Sequence, residues 1–496
     1  MKQRITRKMK RELKNAVNPL EELLIIIKQY FPKLMDWIDN LTDTRNQSYI
    51  KYDFKVCLLT QILAFCSSYQ SMNSIGRDFN SDIVISNINN ILKANYVELP
   101  HKDTLINVIS SIKFEELEKI QTKIINTLIR SKMLDKYRYN GMFHIVIDGT
   151  GLYSTKVNLG ENAISKVYNK GTENEFTLYS YYALEAKLIC GNMAFSLATE
   201  FVENETYTDE DGNTYRKFEK QDCELKAAYR LLKKIKARFP KLPIVIGADA
   251  LYVGRPFLRL CDSLKFDYII RYKETDAPSI KRNFDEIKII DGNYEYQNEI
   301  IFGELENNDF YTLNVISYDE KKIDEETGEI EVTNFSYVTS FNVNSKNKEN
   351  IITLGRRRWK IENKGFKEQK SEVLNITHIY TKNCNGTKNI YLLIQFAHTL
   401  LNLLNYGNIL IVDLCTTKNE VSALIKKALT SSTLNLNLTR IIQLRLPWLY
   451  YIVLWKYTHF FKKMHFLQIF CVDVKRRKFI ILSLKHFNSH FSINIS

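Results

Sequence analysis

Two aspartates and a glutamate are the first residues of this chain to suggest a chemistry. Asp148 follows the apolar run Phe143-His144-Ile145-Val146-Ile147, and Asp249 follows Pro243-Ile244-Val245-Ile246-Gly247-Ala248. Each acid therefore closes a segment with the length and continuity of a buried strand. Glu362 lies in the Trp- and Arg-rich run Arg358-Trp359-Lys360-Ile361-Glu362, whose setting reads as a basic helix. Carboxylates delivered from separate rigid elements are oxygen ligands suited to Mg²⁺ or Mn²⁺. Two such ions roughly 3.5–4 Å apart support in-line displacement at phosphorus, neutralising charge on the attacking and leaving oxygens. A lone strand-terminal Asp is more often a turn former or helix cap. The joint placement is what favours the metal reading for Asp148, Asp249 and Glu362.

The order of elements between these acids is the second observation. From Pro19 to about Arg138 the apolar spacing is helical: Leu20, Leu23, Leu24, Ile27 and Tyr30 share one face, which predicts an all-helical N-terminal domain over 1–138. After Gly141 come three predicted strands, at Phe143 to Ile147, Phe176 to Ile189 and Met193 to Phe201. A surface helix from Gln221 to Phe239 and a fourth strand ending at Asp249 follow. Three strands, a helix and a fourth strand, with acids at the tips of the first and fourth, give the order of an RNase H-like α/β core, begun over 139–264. Residues 265–342 read as a β-rich insertion, with turns at Asp291-Gly292 and Thr327-Gly328. Helical periodicity returns over 343–420 and carries Glu362. Residues 421–496 form a basic C-terminal extension with twelve Lys/Arg and a single acid, Asp473. That extension reads either as a DNA-binding segment or as an aberrant tail, with its weak periodicity favouring the tail.

Composition narrows the partners. The formal net charge is +14 and the pI about 9.1, so the surface attracts polyanions. The first fourteen residues hold seven Lys/Arg and one Glu, either a solvated arm or a phosphate-neutralising one. The eight cysteines form no C-x-x-C pair and have no His at zinc-ligand spacing, so they read as buried, reduced thiols. No signal-peptide pattern follows Met1, and the apolar stretch Leu446 to Trp455 is too short for a membrane-spanning helix. A soluble, cytoplasmic setting is expected. His144, His378 and His398 sit in apolar surroundings and read as satisfied core histidines. No H-E-x-x-H, Ser-His-Asp order or P-loop supports another chemistry.

Four segments resemble the insertion-sequence transposases of the DDE type, in the branch with a β insertion before the catalytic glutamate. Asp148-Gly149-Thr150-Gly151 is similar to the family's first motif, and Gly247-Ala248-Asp249-Ala250-Leu251-Tyr252 to its second. Arg358 to Phe366, with Glu362 inside it, is similar to the third, and Lys220-Gln221-Asp222-Cys223-Glu224 to the opening of the helix before the second motif. The resemblance implies metal-dependent DNA cleavage at transposon ends and strand transfer into target DNA. It also implies two Mg²⁺ or Mn²⁺ ions, terminal inverted repeats as the DNA partner, and a homodimer in a synaptic complex. Of the signature Y-x-x-R-x-x-x-E-x-x-x-x-x-x-K, Arg358 and Glu362 fit. Gly355 replaces the Tyr, and Gln369 stands at the Lys position with Lys370 one residue later. Arg356, Arg357, Arg358 and Lys370 are the expected phosphate contacts. Trp359 could stack on an unpaired base, although its helical spacing with Phe366 favours core packing. Two rivals are a DNA-binding descendant that no longer cuts and a structure-specific RNase H-like nuclease.

Overall fold

The computed structural model describes residues 18–434 apart from 274, 276, 305–308, 324–327, 329 and 408–416, together with the backbone of 467–474, 477–484 and 491–493. The basic N-terminal arm, Thr327 and the stretch Leu446 to Trp455 lie outside the described residues. One compact unit ends at Leu434, and a second runs from Asn435 to Ser496.

Helices α1 (Pro19–Tyr30), α2 (Leu34–Asp39), α3 (Phe54–Cys66), α4 (Met72–Asp78), α5 (Asp82–Leu92), α6 (Lys102–Ser111) and α7 (Phe114–Arg130) come first. Asn18 caps α1 by accepting from the Leu20 and Glu21 N–H groups, and Pro19 takes the first position, where its missing N–H costs nothing. Helix α3 is buried on nearly all sides, as expected of an apolar segment without a polar stripe.

The core then unfolds in chain order: β1 (Phe143–Thr155), β2 (Ile164–Tyr168), β3 (Phe176–Cys190), β4 (Met193–Val202), the small hairpin β5 (Thr206–Thr208) and β6 (Thr214–Arg216), α8 (Glu224–Arg238), β7 (Ile244–Ala248), α9 (Arg255–Ser263) and β8 (Asp267–Arg271). Strands β1, β7 and β8 are parallel, and β3 pairs antiparallel with both β1 and β4. The spatial order β4-β3-β1-β7-β8 is that of an RNase H-like sheet, and Ala227, Ala228, Leu231, Leu232 and Ile235 are the buried face of α8. The fold is thus α/β with an RNase H-like core and helices before it.

Two readings from the sequence are corrected here. Strand β1 does not stop at Asp148. Its parallel ladder with β7 ends at the Val146 and Gly247 pair, but its antiparallel ladder with β3 runs on to Thr155, with a bulge after Gly151. The Asp-Gly-Thr-Gly sequence looked like a turn because its glycines mark a bulged strand instead. The second correction concerns Tyr268 to Tyr272, expected in the insertion. Those residues lie largely in β8, the fifth core strand, which pairs parallel with β7.

After β8 come α10 (Pro278–Ile287), β9 (Ile289–Asp291), β10 (Tyr294–Glu304), β11 (Asp309–Ile323) and β12 (Ile330–Thr339). Strand β12 pairs antiparallel with β8, followed outward by β11, β10 and β9, so core and insertion share one sheet of ten strands among the described residues. Helix α11 (Lys348–Arg356) leads into a π-helical stretch over Ile361–Phe366 and Glu368–Glu372, then α12 (Cys384–Tyr406) and α13 (Lys418–Ser431). Helix α12 is almost wholly buried and packs against α1, α3, α6, α7 and β4, tying the first helices to the core. Helix α13 packs on α1, α3, α5 and α12, so the boundary expected at 421 falls inside a helix of the first unit. The second unit contains a three-stranded antiparallel sheet, β13 (Leu467–Val474), β14 (Arg477–Leu484) and β15 (Phe491–Ile493). No helix among the described residues is long and apolar enough to cross a membrane.

The cysteines and histidines depart in part from expectation. Cys57, Cys66, Cys190 and Cys261 are buried free thiols, Cys384 is half-buried, and Cys223 is exposed because it caps the solvent-facing start of α8. Cys415 lies outside the described residues. His398 is buried and bonded to Glu368 and Asn402, and His378 is half-buried. His144 is buried with neither ring nitrogen partnered by protein, and burial reinforced by Arg357 pushes it down to about 3, leaving it neutral.

Candidate active site

The three acids come from three elements of the core. Asp148 projects from β1 just past the end of its parallel ladder with β7, with its side chain 17% exposed and its Oδ1 accepting from the Gly149 N–H at 3.0 Å. Asp249 follows β7 directly and caps the short turn Ala250–Tyr252, accepting from the Leu251 N–H at 2.9 Å. The bland role of a strand-terminal Asp is therefore real here, and it coexists with the acid's place beside Asp148. Glu362 sits in the π-helical stretch, which packs beside β1, β3 and β4.

Electrostatics tie the three together. The Asp148 carboxyl is pushed up to about 7, first by burial; Arg358 opposes the rise, while Asp249, Glu362 and Glu224 add to it. Arg358 lies between two of the acids, its Nη1 3.8 Å from Asp148 and 3.1 Å from Glu362. Among the described residues no three His, Cys, Asp or Glu side chains stand close enough to hold one ion as they lie. The donor set nevertheless fits a divalent cation: every candidate ligand is a carboxylate, and Asp148 stays raised by burial although Arg358 stands beside it.

The flanking residues divide. Of the three consecutive arginines only Arg358 faces the acids. Arg356 pairs with Glu320 of β11 at 2.8 Å and stacks on Phe335, while Arg357 acts on His144 and Cys190 near the opposite end of β1. Trp359 is 52% exposed, which corrects the core-packing reading: it borders an open cleft of about 720 Å³ with Asp249, Leu251, Arg271, Lys273, Phe335 and Arg358. Lys273 and Arg271, which the sequence did not single out, make the far wall of that cleft basic.

The π-helical stretch explains the displaced lysine. In an α-helix, positions 362 and 369 fall two turns apart on one face. A π turn closes its hydrogen bonds five residues on rather than four, so it inserts extra residues into the register. Gln369 is consequently turned inward, fully buried, and bonds to Gln395 at 2.7 Å and Lys187 at 3.4 Å. Lys370 takes the outward place, close enough to Asp148 to feel its charge, though burial lowers its pKa overall. Position 355 is closed to a tyrosine for a simpler reason: a Cβ there would meet the Tyr337 ring at 2.7 Å.

Residues 219–400 match the family model described as Transposase DDE domain, a span that includes Asp249 and Glu362 but begins after Asp148. A solved structure, the cryo-EM structure of the piggyBac transposase synaptic complex with hairpin DNA, is similar at 12% identity and a TM-score of 0.40, over 86% of this chain and 82% of that one. No curated relative matches the chain. Over residues 219–400, a little more than a third of its length, the chain is thus similar to the DDE domain of transposases.

Proposed function

We propose that this chain cleaves DNA strands at the ends of its own element and joins the freed 3′ hydroxyls to target DNA, acting as a homodimer that brings two ends together. The observation that carries the reading is Asp148: a desolvated carboxyl on an interior strand of an RNase H-like sheet, just past the end of the β1–β7 ladder, with Asp249 and Glu362 close enough to raise its pKa. Asp148, Asp249 and Glu362 would hold two Mg²⁺ or Mn²⁺ ions, which would supply charge neutralisation and a more nucleophilic oxygen at phosphorus. The chain's own residues orient the strand. Arg358 offers its guanidinium to the scissile phosphate, Lys370 adds a second positive charge on the Asp148 side, and the exposed Trp359 ring offers a stacking face to an unpaired base.

One observation favours the non-cutting descendant: Arg358 bridges Asp148 and Glu362, so the carboxylates are partly neutralised by the protein itself. Strand cleavage of DNA from the flanks of the gene separates the two, comparing wild type with Asp249→Ala in Mg²⁺, in Mn²⁺ and without metal. Metal-dependent cuts at an inverted repeat, absent from the variant, support the transposase reading. Binding with no cut in any metal rejects it in favour of the descendant.

A further inference from the structure

A fourth acid stands behind the pair Asp148 and Asp249. Helix α8 starts at Glu224, and its buried face fixes where that first residue lies against the sheet. Gly149, directly after Asp148, has no side chain to separate it from this carboxylate. A Cβ built there would lie 2.5 Å from Glu224 Oε2 and 2.7 Å from its Cδ. On the other side, Tyr252 donates its hydroxyl to Glu224 Oε1 at 2.6 Å. Tyr252 is fully buried and ends the turn that Asp249 caps, so its position and that of Asp249 are set together. One carboxylate therefore touches the residue after the first acid and is hydrogen-bonded by the residue three beyond the second.

A carboxylate here sets a like charge against the residue next to Asp148, and like charges repel. A glutamine would fill the same space and accept the same hydrogen bond without that repulsion. The charge makes sense if cations are to be drawn to the acids in front of it, as outer carboxylates do at metal sites. We infer that Glu224, braced by Tyr252, is a positioning residue that sets Asp148 against the Asp249 turn and adds the negative charge that strengthens their hold on divalent cations. This inference rests on the reading of Asp148 and Asp249 as metal ligands. Glu224 acts through them and not through DNA.

The test is a titration of the full chain with Mn²⁺, following free Mn²⁺ by electron paramagnetic resonance, for wild type, Glu224→Gln, Tyr252→Phe and Asp249→Ala. Glu224→Gln keeps shape and hydrogen bond, so its thermal unfolding should match wild type while its Mn²⁺ affinity falls roughly tenfold. The metal concentration for half-maximal cleavage should rise by the same factor, with the plateau recovered at high metal. Tyr252→Phe should weaken Mn²⁺ binding in the same direction by less. Wild-type Mn²⁺ binding lost in Asp249→Ala but unchanged in Glu224→Gln overturns the positioning role and leaves the ligand reading intact. No Mn²⁺ binding and no cleavage by wild type overturns both.

Discussion

Replacing Asp148 by Asn should make the metal-free chain more stable at alkaline pH while abolishing cleavage. The Asp148 carboxyl stands at about 7 in the folded chain against an ordinary 3.8, so between those values the folded state holds a proton that the unfolded state has released. Wild-type stability must then fall as pH rises through this window and level off above about 7. Three pKa units at ~1.36 kcal/mol each give a full cost of ~4 kcal/mol for ionising the buried group. Between about pH 5.5 and about pH 8.5 only ~1.5 units of the window remain, so the wild type should lose ~2 kcal/mol that the Asn variant keeps. Burial sets most of the shift, with Arg358 opposing it and Asp249, Glu362 and Glu224 adding to it, and Lys370 faces the same carboxyl. Urea unfolding in a chelator at the two pH values, wild type against Asp148→Asn, reads the difference directly. An equal change in both proteins, or an Asn variant less stable than wild type at the higher pH, would refute the claim that Asp148 is desolvated among like charges.

Other expectations follow from the same geometry. Lys418→Met removes the partner of Glu368, which is held down at about 2 against its own burial by the His398 hydrogen bond and the Lys418 charge; stranding that charge should cost ~3–5 kcal/mol in urea unfolding. Lys370→Ala should weaken DNA binding uniformly across sequences and reduce the salt slope by about one. Gln369→Ala should leave that slope alone and lower stability by ~1–3 kcal/mol, because Lys187 and Gln395 lose a buried partner; the opposite assignment would show that the π register does not select Lys370. A chain ended after Leu434 should keep a cooperative transition by circular dichroism, while one ended before Lys418 should lose it along with α13.

The parts of this fold that could be read from the sequence are those with a one-dimensional signature. Val245 and Ile246 sit in a continuous apolar run because β7 is covered on both faces, and Leu231, Leu232 and Ile235 repeat at helical spacing because α8 has one buried face. The acids at the strand ends were visible for the same reason. What stayed hidden depends on pairing or register. Nothing in Tyr268 to Arg271 distinguishes a fifth core strand from an insertion strand until β7 is beside it. The bulged continuation of β1 through Gly149 and Gly151 looks like a loop. A π turn has no composition of its own, so Lys370 looked misplaced. Glu224 carried a motif resemblance but no role, since its neighbours Gly149 and Tyr252 lie 75 and 28 residues away in the chain.

The shared sheet sets a gauge for whatever enters the cleft. Asp249 follows β7 and Phe335 lies on β12, with only β8 between, so strands β7 and β12 run two spacings of ~4.8 Å, ~10 Å in all, apart. That gap belongs to a hydrogen-bonded lattice, which can twist but cannot widen without breaking its ladders. A hinge between core and insertion would let the opening adapt to its cargo; this lattice works instead like a fixed caliper.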